Sequence, residues 1–218
     1  MKFKLLLFDL DGTLIDSRDD LADSVNLTLT EMKLENLPSE TIYNFIGEGV
    51  FNLLDRSIST SVKQASTEEF TNRGVEIFSG IYDENCLVKT KLYDGVKETL
   101  EELKDFKKAV ITNKPHDFSE KILDALGVLQ YFQSISGGDS FPERKPSPVP
   151  LLKTAEKLGF SPAECLMIGD SRIDIEAGKN ANIKTCGCVF GFRGRVELEK
   201  AKADFLIEDF TAIKELLV

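Results

Sequence analysis

Six short apolar runs, each broken off by polar residues and separated from the next by a longer stretch, constrain this chain more than any other feature. They are KLLLFDLD (4–11), KKAVITN (107–113), FQSISGGD (132–139), ECLMIGD (164–170), IKTCGCV (183–189) and ADFLIED (203–209). Brief apolar runs of this kind suit strands buried on both faces. Helical periods lie between them. Val96, Leu100 and Leu103 share a face, as do Phe118, Ile122 and Leu126 before the stop at Gly127. Ser147-Pro148 reads as a helix start, with Leu151, Leu152, Ala155 and Leu158 inward and Gly159 past the end. Asp209 caps a last short helix carrying Phe210, Ile213 and Leu217. The alternation predicts an α/β fold, a mostly parallel sheet with helices on both faces. Right-handed crossovers then bring every strand's C-terminal end to one edge. Sheets of this kind bind their ligands at that edge.

One region breaks the alternation. About eighty residues after the first run contain no strong strand, too many for a structureless loop in a compact domain. Leu21, Val25, Leu29 and Met32 mark one helix face; Leu53, Leu54 and Ile58 a second; Phe70, Ile77, Phe78 and Ile81 a third. The expectation is a helical domain over 17–85 inserted into a core made of 1–16 and 86–218. Two chain crossings would let it open and close as a lid. Phe45, Phe51, Phe70, Phe78 and Tyr82 are expected to form its aromatic core.

The strand ends carry the chemistry. The first run delivers Asp9 and Asp11, then Gly12 and Thr13. The second delivers Thr112 and Asn113, and the fourth Gly169 and Asp170, with Asp174 four residues on. Arg144-Lys145-Pro146 precedes the helix that follows the third run. Carboxylates gathered at one edge repel one another, and burying them unpaired is costly. A hard cation such as Mg²⁺ takes oxygen ligands and would neutralise them. With Lys145 and nearby hydroxyl and amide donors, such a pocket suits a phosphate. Asp9 and Asp11 stand two residues apart at the end of an extended strand, and the chain turns at Gly12. One can attack phosphorus, and the other can protonate the leaving oxygen and then activate a water. The residues alone leave open which does which.

FDLDGTLIDS, VITNK, RKPSP and IGDSRIDIEAG, taken together and in order, resemble the haloacid dehalogenase superfamily, in its phosphoglycolate phosphatase-like branch with a helical cap. The resemblance spans essentially the whole chain. It implies a Rossmann-like core with strand order 5-4-1-2-3. It makes Asp9 the nucleophile and Asp11 the general acid/base, with the Asp11 backbone carbonyl as a metal ligand. Thr112 and the Asn113 backbone would bind phosphoryl oxygens beside Gly12 and Thr13. Lys145 would steady the nucleophile and the phosphate. Asp9 and Asp170 would ligate Mg²⁺, with Asp174 supporting them or Lys145. In the cap, Gly47 and Gly49 of IGEGV would belong to a loop reaching the substrate, and Arg18 and Arg56 would meet a substrate carboxylate. IGEGV also reads as a plain turn between helices, and the two arginines as surface residues.

The same resemblance sorts neighbouring activities. Asp11 is absent from the dehalogenases and replaced by Ala in phosphonate-cleaving relatives, so phosphate esters are favoured. Sugar-phosphate mutases carry a His early in the cap where this chain has Leu21. The one histidine, His116, is poorly placed to substitute. The expected activity is Mg²⁺-dependent hydrolysis of a small phosphorylated metabolite, phosphoglycolate first. A sugar-phosphate mutase, a 5′-nucleotide phosphatase and a non-catalytic phosphate-binding protein are the alternatives.

The chain's 218 residues carry a formal charge of −10, which argues against nucleic acid or an acidic membrane surface as partner. The charge-rich stretch KETLEELKDFKK reads as a solvated helix face. No apolar run approaches the roughly 20 residues needed to cross a bilayer. Charged residues arrive too early for a signal peptide. Four cysteines show no disulfide-scaffold density, so free thiols in the cytoplasm are expected. Oligomeric state has no signal in the sequence.

Overall fold

A computed structural model describes residues 3–217. In chain order its elements are β1 (Leu5–Phe8), β2 (Ile15–Asp16), α1 (Arg18–Glu31), α2 (Ser39–Tyr43), α3 (Val50–Val62), α4 (Glu68–Asn85), β3 (Lys91–Leu92), α5 (Val96–Glu102), β4 (Lys107–Ile111), α6 (His116–Ala125), β5 (Ser134–Ser136), α7 (Val149–Leu158), β6 (Cys165–Gly169), α8 (Arg172–Asn180), β7 (Lys184–Cys188), α9 (Gly194–Lys200) and β8 (Phe205–Ile207). The chain divides into a sheet unit, Met1–Asp16 with Leu92–Val218, and a helical unit, Ser17–Lys91.

Every apolar run becomes a strand of one six-stranded sheet, ordered β5-β4-β1-β6-β7-β8 and parallel throughout. Counted from β1 within this sheet, the order from β7 to β5 is the expected 5-4-1-2-3, and β8 extends the β7 edge. β1 is central, with Leu5 opposite both Lys107 of β4 and Cys165 of β6. Its two faces explain why the run does not alternate. Leu5 and Leu7 join Ala109, Ile111, Met167, Leu151 and Ala155 in one core layer. Phe8 packs against Phe210, ring centroids 5.9 Å apart, on the 3-10 helix Phe210–Leu216. Asp209 caps that helix by accepting from the Ala212 amide. Each fully buried side chain of this size contributes about 1.5–3 kcal/mol, so all four positions of β1 favour this placement.

In the helical unit, α1 and α3 pack along α4. Phe78 and Tyr82 are buried and stacked with centroids 5.2 Å apart. Phe45, Phe51 and Phe70 are only half-buried, so the aromatic core is smaller than expected. The unit also runs on to Lys91 instead of ending at residue 85. The reason is Asp20, buried on α1: its carboxylate accepts from the Lys89 and Thr90 amides and the Thr90 hydroxyl at 2.7–3.0 Å. That ties the returning chain to the first helix of the same unit. All four cysteines are free and buried. No helix among the described residues is long and apolar enough to cross a membrane.

Candidate active site

The parallel register carries Asp9 past the end of β1, where its amide donates to the Ile168 carbonyl of β6 at 2.8 Å. Gly169 closes β6, and Asp170 follows it directly. Ser171 begins α8 with a reciprocal cap: its amide and hydroxyl donate to Asp174 Oδ2 at 3.1 and 2.7 Å. The other Asp174 oxygen accepts from Lys145 Nζ at 2.6 Å, and the same ammonium donates to Asp9 Oδ1 at 2.8 Å. Lys145 thus bridges two carboxylates, one just past the end of β1 and one in the first turn of α8. Its own backbone is held from β4, because Asn113 Nδ2 donates to the Lys145 carbonyl at 3.0 Å.

The first motif turns where its sequence requires. Gly12 has φ +88, and a Cβ there would overlap the Asp170 carboxylate. Thr13 is buried, and its hydroxyl has no hydrogen-bond partner among the described residues. Thr112 donates its amide to the Ser136 carbonyl and accepts from the Lys114 amide through its hydroxyl. Of the core residues singled out from sequence, Lys145 joins Asp9 and Asp174 and is held by Asn113, Thr112 supports the turn after β4, and Asp170 lies against Gly12 and near Asp9 and Asp174, while Asp11 and Thr13 flank Gly12 in the first motif.

The remaining candidates lie in the helical unit. Gly47 and Gly49 form the turn between α2 and α3, with Gly49 at the start of α3. Arg56 is paired with Glu48 at 2.6 Å, and the Arg18 guanidinium sits 5.8 Å from the centre of the Tyr43 ring. Tyr43 in turn donates its hydroxyl to Asp19.

Two features escaped the reading of the sequence. Lys114, next to the Thr112-Asn113 pair, is almost wholly buried and donates to both Asp11 oxygens at 2.8 and 3.1 Å. The Phe192 amide donates to Asp170 Oδ2 at 2.6 Å, and Gly191 sits so close that a Cβ would overlap Asp170 and the Gly12 carbonyl. The VITNK stretch held the signal for the first, as a lysine at a strand end facing an edge rich in carboxylates. The second is a backbone contact with no side-chain signature.

Four carboxylates (Asp9, Asp11, Asp170, Asp174) face two paired ammonium groups (Lys114, Lys145) and the charge of Arg193, which acts on Asp170. The electrostatics register this imbalance. Burial, then the Asp174 charge, pushes the Asp9 carboxyl up to about 7 against the pull of Lys145. Burial, followed by the charges of Asp174 and Asp9, raises Asp170 well above the usual carboxylate range. For Lys145 burial alone would lower the pKa; Asp174 and Asp9 outweigh it and hold it raised. Carboxylate oxygens of Asp9, Asp170 and Asp174 lie within 4.8 Å of one another. A buried, all-oxygen cluster short of positive charge fits a hard divalent cation. Asp9 and Asp170 are the better placed donors, since both oxygens of Asp174 are engaged by Lys145 and Ser171.

A parallel α/β sheet that gathers these groups at its strand ends defines a hydrolase core. Residues 6–188 match the family described as haloacid dehalogenase-like hydrolase, and the chain belongs to that family of enzymes. More particularly, it is 43% identical over 206 residues to the phosphoglycolate phosphatase of Aquifex aeolicus, covering 94% of this chain and 92% of that one. It is 38% identical over 221 residues to the phosphoglycolate phosphatase of Haemophilus influenzae, covering 99% of each. A crystal structure of a predicted phosphoglycolate phosphatase from Haemophilus somnus superposes with a TM-score of 0.94 at 34% identity, over 100% of this chain and 99% of that one.

Proposed function

We propose that this enzyme hydrolyses phosphoglycolate, with Mg²⁺ held by Asp9, Asp170 and the Asp11 backbone carbonyl. The cation supplies charge neutralisation for the phosphoryl oxygens. The observation that carries the reading is the Asp9–Lys145–Asp174 bridge beside Asp170, a buried cluster short of positive charge at the strand ends.

In this reading Asp9 attacks phosphorus and forms an aspartyl-phosphate, and the ester oxygen leaves with a proton from Asp11. Asp11, now ionised, takes a proton from water, which attacks the intermediate and releases phosphate. Lys145 fixes the attacking oxygen and balances the incoming charge. Asp174 orients Lys145. Thr112 and the Asn113 backbone receive phosphoryl oxygens. Selection of the leaving group is assigned to the helical unit, with Gly47, Gly49, Arg18 and Arg56 as its contributors. Phosphoglycolate is chosen because the relatives that match nearly end to end carry that name.

The test is phosphate release from phosphoglycolate, sugar phosphates and 5′-nucleotides, with Mg²⁺ and with a chelator. Turnover should be highest on phosphoglycolate, should stop on chelation and should fall by about 10³-fold or more in Asp9→Asn. Full activity in Asp9→Asn would end the nucleophile assignment. Preference for a nucleotide or sugar phosphate would end the substrate assignment alone.

A further inference from the structure

We propose that Lys114 is a positioning residue for the acid/base carboxylate: by holding both Asp11 oxygens it fixes the plane of the carboxyl group from which the proton is transferred. The inference rests on the role given to Asp11 above. Both Asp11 oxygens accept from Lys114 Nζ, at 2.8 and 3.1 Å, and the side chains are only 12% and 5% exposed. Burying such a pair costs desolvation on both sides and is weak evidence of stabilisation. Its more specific consequence is geometric, since a carboxylate held through both oxygens has lost its free rotation about χ2.

The lysine is itself held at its backbone. Its amide donates to the Thr112 hydroxyl at 3.2 Å, and its carbonyl accepts from the Gly138 amide at 2.8 Å. Gly138 packs so tightly that a Cβ would overlap the Asn113 carbonyl. The loop after β5 therefore fixes the turn after β4, and that turn delivers the ammonium to Asp11. Two strand ends away from the nucleophile thus set the orientation of the proton donor. Proton transfer depends steeply on such alignment.

A positioning role predicts a dependence on the leaving group that a structural role does not. Phenyl phosphate and p-nitrophenyl phosphate have similar shapes, but phenolate is the poorer leaving group and needs the proton more. The measurement is kcat/KM for both esters in wild type, Asp11→Asn, Lys114→Met and Lys114→Arg, with Mg²⁺ present. Lys114→Met should lose about 10²-fold on phenyl phosphate and stay within about threefold on p-nitrophenyl phosphate. Lys114→Arg should recover part of the loss. Equal losses on both esters in Lys114→Met, with a selective loss in Asp11→Asn, would overturn the clamp and leave Asp11 as the acid. No selective loss in Asp11→Asn would overturn the acid assignment and the clamp with it. Wild-type kinetics in Lys114→Met on both esters would also overturn the clamp.

Discussion

Lys145 is the residue on which two buried ion pairs meet. Its ammonium is the direct partner of both Asp9 and Asp174, and all three side chains are buried. Removing one partner of such a group leaves charge uncompensated and typically costs about 3–5 kcal/mol. Lys145→Met should therefore lower the urea midpoint in metal-free protein as well as abolish turnover, with part of the stability returning at acid pH as the carboxylates protonate. Asp9 makes a second, pH-linked prediction. Its folded pKa of about 7 lies above its ordinary 3.8, so the fold binds the extra proton between those values. The stability it contributes in metal-free protein is full below about pH 4 and lost as pH rises through 7. A cation competes with that proton. Asp170, raised as well, competes in the same way, so apparent Mg²⁺ affinity, read by calorimetry, should fall by about tenfold or more per unit as pH drops below 7. Affinity flat across this range would exclude Asp9 as a titrating ligand.

At the scale of elements, the loop after β7 is expected to matter more than its composition suggests. Gly191→Ala must displace either Asp170 or the Gly12 turn, and the Phe192 amide would lose its contact with the carboxylate. The expected result is a near-native metal-free melting temperature with most of the Mg²⁺-induced rise in it lost. An unchanged metal response would show that the loop yields without moving Asp170. The elements also show what was legible. The central strands β1 and β6 could be read most directly from their apolar runs because both faces are covered and every position is buried, whereas the edge strands β5 and β8 are only partly buried and β5 carries Ser134 and Ser136. Asp9, Asp170 and Lys145 followed because parallel pairing sends strand ends to one edge. The short α2, with one buried residue, Ile42, lacks the apolar repetition that marks a helix. The limit at residue 85 failed for a related reason: the segment 86–91 is tied to Asp20, 66 or more positions away, by backbone donors that any residue type can supply. Phe192 joins the site in the same way, through its amide.

At the scale of the whole molecule, the chain leaves the sheet unit at Asp16 and returns at Leu92, and β2 and β3, which hold these residues, are neighbours in a two-stranded sheet. Replacing Ser17–Lys91 by a short Gly/Ser linker should therefore join adjacent strands and leave a cooperative sheet unit. Far-UV circular dichroism and a single urea transition would check this. The truncated protein should keep Mg²⁺ binding and slow cleavage of p-nitrophenyl phosphate, while its preference among natural phosphate esters collapses. A preference retained in full would move specificity out of the helical unit and into the sheet unit.

One carboxylate has two duties that are usually kept apart. With one oxygen Asp174 closes the first turn of α8, and with the other it grips Lys145. On the roles proposed above, fraying of that turn would also release Lys145 from its partner. Many enzymes can gain robustness at a functional position by surrendering rate. Here a replacement that frees Lys145 also gives up the cap of α8, so rate and robustness are expected to fall together.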